Sequence, residues 1–149
     1  MYEYEINENT LFLLPMDENR TMVYEKERSF LVLNKAIKII SDSALFYGSS
    51  LDGRKISSSK MLGSSYKVPI VISENDEIIV FPTSSYRYNL STWICFNNVY
   101  GYHKDGNQTL VSFAGNKEYK INVSYNIFDN QFLRSVKLLL IYRNRKKKW

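Results

Sequence analysis

Pro69-Ile-Val-Ile-Ser-Glu-Asn-Asp-Glu-Ile-Ile-Val-Phe-Pro82 is the stretch that decides the fold class. Two apolar runs, Pro69–Ser73 and Glu77–Phe81, flank the polar triplet Glu74-Asn75-Asp76, and Pro82 closes the second run. Ile and Val branch at Cβ and fit a pleated surface better than a helix, so the segment predicts a β-hairpin. The whole chain leans the same way, with 13 Ile, 9 Val, 5 Thr and 22 aromatics against 3 Ala. That balance favours sheet over a helical bundle. At 149 residues, 44% hydrophobic and 23% charged, the chain has the size and composition of one globular domain.

On the N-terminal side of the hairpin, Tyr2, Tyr4 and Ile6 alternate with Glu3, Glu5 and Asn7, the period of a half-buried strand. Thr10–Leu14, Thr21–Tyr24 and Phe30–Leu33 read as further strands, with turns at Asn7–Asn9 and Asp17–Asn19. The period then lengthens. Ile37, Ile40, Ala44 and Tyr47 recur at helical spacing between a candidate N-cap, Asn34, and Gly48, which suits a helix C′ position. A central helix over about 35–47 is expected. Gly48–Lys67, with seven Ser, three Gly and four bases, reads as a long polar loop.

On the C-terminal side, Thr83–Ser91 reads as a polar loop carrying Arg87 between two tyrosines, and Thr92–Tyr102 as one strand. Asp105-Gly106 is a turn, and Leu110–Phe113 with Glu118–Val123 form a hairpin around Gly115-Asn116. Ser124 or Asn126 caps a last helix over about 126–142. Its buried stripe is Phe128, Phe132, Ser135/Val136 and Leu139, with Arg134 and Lys137 off that stripe. Residues 143–149 form a basic tail. With no repeat and no linker, the expectation is a single α+β domain over 1–149: short antiparallel strands and hairpins, one central helix and one C-terminal helix.

Catalytic constellations are missing. Cys95 and His103 lie eight apart on one expected strand, on the same side but too far apart for a nucleophile–base pair. Two N/S ligands do not close a structural zinc site. Cys95 therefore reads as a small core residue and His103 as a surface strand residue. Gly48-Ser-Ser-Leu-Asp-Gly53-Arg-Lys55 has the glycine spacing of a phosphate-binding loop, but its Lys comes one position late and Ile56 replaces the hydroxyl that would hold Mg²⁺. No enzyme, cofactor or metal is expected. A lone cysteine forms no internal disulfide and suits a reducing, cytoplasmic compartment. No apolar run approaches the ~20 residues of a membrane span, and the acidic start does not resemble a signal peptide.

Charge is unevenly spread. Residues 1–34 hold three bases and seven acids, whereas residues 35–149 hold 17 bases and eight acids. Arg134–Trp149 alone holds seven bases and no acid. Such a distribution points to a polyanion partner. The candidate contacts are Ser49, Ser50, Arg54, Lys55, Lys60, Arg87, Arg134 and Lys137: cations interleaved with hydroxyl and aromatic groups, the residue types that hold phosphates. Arg54, on the expected Gly53-Arg54-Lys55 turn, has the character of an arm that enters a narrow A·T minor groove. This requires Arg54 to be accessible and its flank to be free of acids. The competing readings are an ordinary solvated turn and a solubilising tail. Val136–Tyr142 followed by bases also fits a helix lying on anionic lipid.

Several strings together resemble the competence transcription factor family, ComK: Phe46-Tyr-Gly-Ser-Ser-Leu-Asp-Gly-Arg-Lys55, Pro69-Ile-Val-Ile72, Val80-Phe-Pro-Thr-Ser-Ser85, Trp93-Ile94, Val111-Ser-Phe113, and Val123-Ser-Tyr-Asn-Ile-Phe-Asp-Asn-Gln-Phe-Leu-Arg134. They occur in family order at nearly family spacing. The resemblance implies a cytoplasmic activator of DNA-uptake genes. Its implied site is paired A/T-rich boxes bound through the minor groove as a homodimer or a dimer of dimers. It places Gly48, Ser49, Ser50, Gly53, Arg54, Lys55, Phe81-Pro82-Thr83 and Gln131 in family motifs. Family members usually continue several tens of residues past the last helix, in a region linked to activation, multimerisation and recognition by a proteolytic adaptor. The alternative is therefore a truncated, non-DNA-binding partner that forms a heteromer with a full-length relative.

Overall fold

A computed structural model describes residues 1–86 and 90–146. The quoted hairpin is present as β4 (Ile70–Ser73) and β5 (Ile78–Pro82), paired antiparallel with Ile70 opposite Val80. Both strands are buried along their whole length. The reason is that their sheet is covered on both faces, so each alternate side chain meets apolar matter. It has six strands in the order β3-β2-β1-β6-β5-β4, all antiparallel, where β1 is Thr10–Asp17, β2 Arg20–Glu25, β3 Ser29–Val32 and β6 Trp93–Cys95.

One face gathers Leu13, Val23, Ile70, Ile72, Ile78, Val80 and Cys95 beneath Ala36, Ile39 and Ile40 of the first helix, α1 (Ala36–Phe46). The opposite face presents Phe12, Val71, Ile79, Phe81 and Ile94. It packs on the inner side of a three-stranded sheet, β7 (Val99–Asp105), β8 (Gln108–Phe113) and β9 (Lys117–Ile121), and on α3 (Tyr125–Lys146). Phe128 of α3 meets Phe81 edge-on at 5.2 Å.

The α+β class stands, with three α-helices among the described residues where two were expected. The stretch read as a polar loop contains α2 (Leu51–Leu62). Its sequence hides the helix because its one fully buried residue is the small, polar Ser58, so no apolar stripe marks it. The expected strand Thr92–Tyr102 is broken by a 3-10 turn at Phe96–Asn98. Cys95 and His103 consequently belong to different sheets: Cys95 is buried and His103 exposed. Tyr4 and Ile6 are buried, yet residues 1–7 form no strand. This segment is tied instead by single bonds, Ile6 N–H to Ser43 Oγ at 3.0 Å and Leu33 N–H to the Met1 carbonyl at 2.8 Å. Asn34 does not cap α1: Lys35 holds the cap position, and the Asn34 side chain accepts from Lys35 N–H at 2.9 Å. The last helix runs on to Lys146, so half the expected basic tail is helical.

Two core substitutions should move stability in opposite directions in urea unfolding. Phe128→Ala removes the ring that joins α3 to the sheet and should cost about 3–5 kcal/mol. The Ser58 hydroxyl is buried with no hydrogen-bond partner. Ser58→Ala should therefore stabilise the protein by about 1 kcal/mol.

Candidate nucleic-acid interface

Helix α2 is set by its ends. The Ser50 hydroxyl accepts the Gly53 N–H at 3.0 Å, Asp52 lies in the positive first turn, and Gly63 closes the helix in the left-handed region at φ 70°. A Cβ on Gly53 would lie 3.0 Å from the Ser50 hydroxyl that makes the cap, so a larger residue there would press on the cap. Helices α2 and α3 run antiparallel: Arg54 near the start of α2 reaches Tyr142 near the end of α3, while Lys67, just after α2, meets Gln131 and Arg134.

The cations of this region fall into two groups. The first is held by the acidic β4–β5 turn. Arg54 donates to Glu74 at 3.0 Å, and its side chain is only 12% exposed. Arg143 binds Glu77 through two bonds, Nε at 2.6 Å and Nη2 at 2.8 Å. Lys146 Nζ donates to the Glu74 carbonyl at 3.0 Å. The hydrogen bond from Arg143 holds the Glu77 carboxyl below the usual carboxylate range, and the same bond raises the Arg143 guanidinium.

The second group surrounds Tyr86. This tyrosine packs edge-on against Trp93 at 5.2 Å and donates its hydroxyl to the Val68 carbonyl. Burial pushes the phenol well up, so it stays a neutral donor. Lys55 Nζ lies 4.8 Å from the centre of its ring. Arg134 donates through Nη1 to the Lys67 carbonyl at 3.1 Å and to Gln131 Oε1 at 2.7 Å, leaving Nη2 buried with no partner. Gln131 is fully buried, and its Nε2 donates to the carbonyls of Lys67 and Pro82, each at 2.8 Å. Lys67 takes a left-handed backbone, φ 51°, beneath these two donors. Burial, followed by the nearby Arg134, lowers the Lys67 ammonium, and burial lowers Arg134. Among the described residues, Lys55, Lys60, Lys67, Arg134 and Lys137 have no ion pair with an acid.

The structure brings together some of the residues singled out by sequence and separates others. Lys55 lies over Tyr86, and Arg134 binds the carbonyl of Lys67, next to the Val68 carbonyl that Tyr86 holds. Lys60 is exposed on the last turn of α2, and Lys137 is exposed one turn beyond Arg134. Ser50 is the α2 cap, and Ser49, half-buried at the α1–α2 junction, donates its N–H to the Ala44 carbonyl at 2.9 Å. Arg87 lies outside the described residues. Arg54 requires a correction. It is on a helix, not a mobile turn, and an acid occupies its flank, because α2 packs over the Glu74 end of the hairpin. Lys67 and Tyr86 were missed as site residues, since nothing local distinguishes Lys67 from the other bases of its Ser-rich stretch.

The model of the ComK protein family matches residues 1–147. The chain belongs to the ComK family. The competence transcription factor of Bacillus subtilis (strain 168) is 31% identical over 146 residues, covering 95% of this chain and 76% of that relative. No solved structure matches the chain. Two ComK strings map onto the interface: Phe46–Lys55 spans the α1–α2 junction with its cap and Gly53, and Val123–Arg134 carries Gln131 and Arg134 on the first half of α3. No described helix is long and apolar enough to cross a membrane. At the end of α3, Leu138 and Tyr142 are buried in the core, while Leu140 is exposed.

The pairing of Glu77 with Arg143 makes the end of α3 sensitive to acid. Because the folded carboxyl titrates below the unfolded value of about 4.3, the pair contributes fully above that pH and is lost as pH falls through the lower folded value. The amide protection of residues 141–146, corrected for the intrinsic pH dependence of exchange, should fall on acidification below about pH 4. Glu77→Gln should remove that pH dependence and leave these amides faster at pH 7.

Proposed function

We propose that this protein is a transcription regulator of competence that acts in the cytoplasm and binds A/T-rich boxes through the DNA minor groove as a homodimer or a dimer of dimers. Membership of the ComK family and likeness to a competence transcription factor support the regulatory part of this reading. The observation that carries the DNA-binding part is the group around Tyr86 and its α2 and α3 neighbours, where Lys55, Lys60, Lys67, Arg134 and Lys137 stand without acidic partners, while Arg54 and Arg143 are paired with Glu74 and Glu77 and Lys146 binds the Glu74 carbonyl. Uncompensated cations raise the local potential, and phosphates are the partners that lower it. Ser57 and Ser64 on and beside α2 add hydroxyl groups of the kind found at phosphate backbones, whereas the Ser59 hydroxyl donates to the Lys55 carbonyl at 2.7 Å. In this reading Arg54 supports the interface by fixing α2 on the hairpin and is not an arm that enters the groove, because its side chain is 12% exposed and paired with Glu74.

A gel shift of the full chain, with A-run/T-run half-sites on one face of the duplex against scrambled DNA at two salt concentrations, tests the proposal. Tighter binding to the half-sites and loss of affinity at the higher salt are expected. Lys137→Ala should weaken both DNAs by the same factor, as loss of a phosphate contact does. No shift with either DNA would leave the non-DNA-binding partner as the better reading, and co-purification with a full-length relative would then support it.

A further inference from the structure

We propose that Lys67 and Arg134 form a seat for one backbone phosphate of the nucleic acid, and that the buried Gln131 is its positioning residue. The inference rests on the DNA-binding reading above and names the part of the surface that grips the backbone. Two cations of the same sign share this place, and no described acid pairs with either. The two residues are tied together, because the Arg134 guanidinium bonds the backbone carbonyl of Lys67, and the Lys67 ammonium is within reach of the Arg134 charge, which lowers it. Half-buried like charges without a counter-charge are costly, so this arrangement is relieved when an anion arrives.

Gln131 fixes the geometry. It spends its amide group on the carbonyls of Lys67 and Pro82 and leaves Oε1 to accept Arg134 Nη1 at 2.7 Å. One carboxamide thus sets the left-handed turn of Lys67 and aims the guanidinium beside it. The Lys67 ammonium lies 5.3 Å from the ring centre of Tyr66, which is 61% exposed. Arg134 makes both internal bonds through Nη1 and keeps Nη2 buried without a partner, so an arriving phosphate oxygen that displaces the side chains over Nη2 supplies the missing acceptor, and the Lys67 ammonium adds a point charge.

The full chain with a fluorescent A/T-box duplex, titrated over a salt series, tests the seat. Arg134→Gln should weaken A/T-box and scrambled DNA alike and reduce the slope of log K against log salt by about 0.9, one phosphate contact. Gln131→Met should lower affinity by a similar factor although the charge is unchanged, and the double variant should be no worse than Arg134→Gln alone. Arg134→Lys should keep the slope yet lose affinity, and this variant carries the positioning test if Gln131→Met does not fold. Lys104→Ala, an exposed base on β7, is the control and should change neither quantity. A slope unchanged in Arg134→Gln, or losses for Gln131→Met and Arg134→Gln that simply add, would overturn the seat.

Absence of DNA binding by the unaltered chain would overturn the DNA-binding reading instead. The seat is then judged with inorganic phosphate alone. A saturable shift of the Arg134 Nε resonance that Lys67→Gln weakens supports it, and no shift overturns it.

Discussion

The α2–α3 face depends on one buried carboxamide. Gln131 is surrounded by apolar core, and each of its polar atoms has a partner on a different piece of the chain: the turn at Lys67, the end of β5 at Pro82, and Arg134 on its own helix. An unpaired carboxamide at that depth would lose about 1–3 kcal/mol for each group left unsatisfied, so α3 can dock in only one register along the sheet. Once α3 is set, the flank carrying Arg134 and Lys137 faces the end of α2. The covered hairpin of the core and the cationic surface are therefore two consequences of the same contact.

The second organising feature is how carboxylates are shared out. The β4–β5 turn is the place where the acids Glu74 and Glu77 meet the helical side of the molecule, and they engage Arg54 and Arg143. Partly exposed pairs of this kind contribute little to stability, about 0–1 kcal/mol each. Their importance is in what they leave over. The cations out of their reach, clustered on Tyr86 and along the outer side of α2 and α3, set the sign of that face. The chain's excess of bases is thus more informative when divided by partner than when summed.

The hairpins were legible because short polar triplets between β-branched runs have few other solutions. Gly115-Asn116 even shows why: both residues have positive φ, which Gly and Asn tolerate best. Helices α1 and α3 were legible through their apolar stripes. Helix α2 was not, because a helix that turns Ser58 and a half-buried Arg54 toward the protein has no hydrophobic period. Its signals were confined to its ends, Ser50 with Asp52 and then Gly63. The break after Cys95 also escaped the pattern, since Phe96 and Val99 continue an apolar run while the backbone changes sheet. For the site, the sequence identified the residue types and the two strings that hold them. It could not show that Glu74, twenty positions away, reaches Arg54, or that Gln131 binds a turn 64 residues earlier, because both are long-range pairings.

If nucleic acid docks on the α2–α3 face around Tyr86, backbone amide shift mapping of the full chain with an A/T-rich duplex shows it most directly. The largest changes should fall at residues 55–67, at Tyr86 and at residues 130–137, with little change on the exposed side of β7, β8 and β9. Changes centred on His103, Lys104 and Lys120, or none at any duplex concentration, would contradict it.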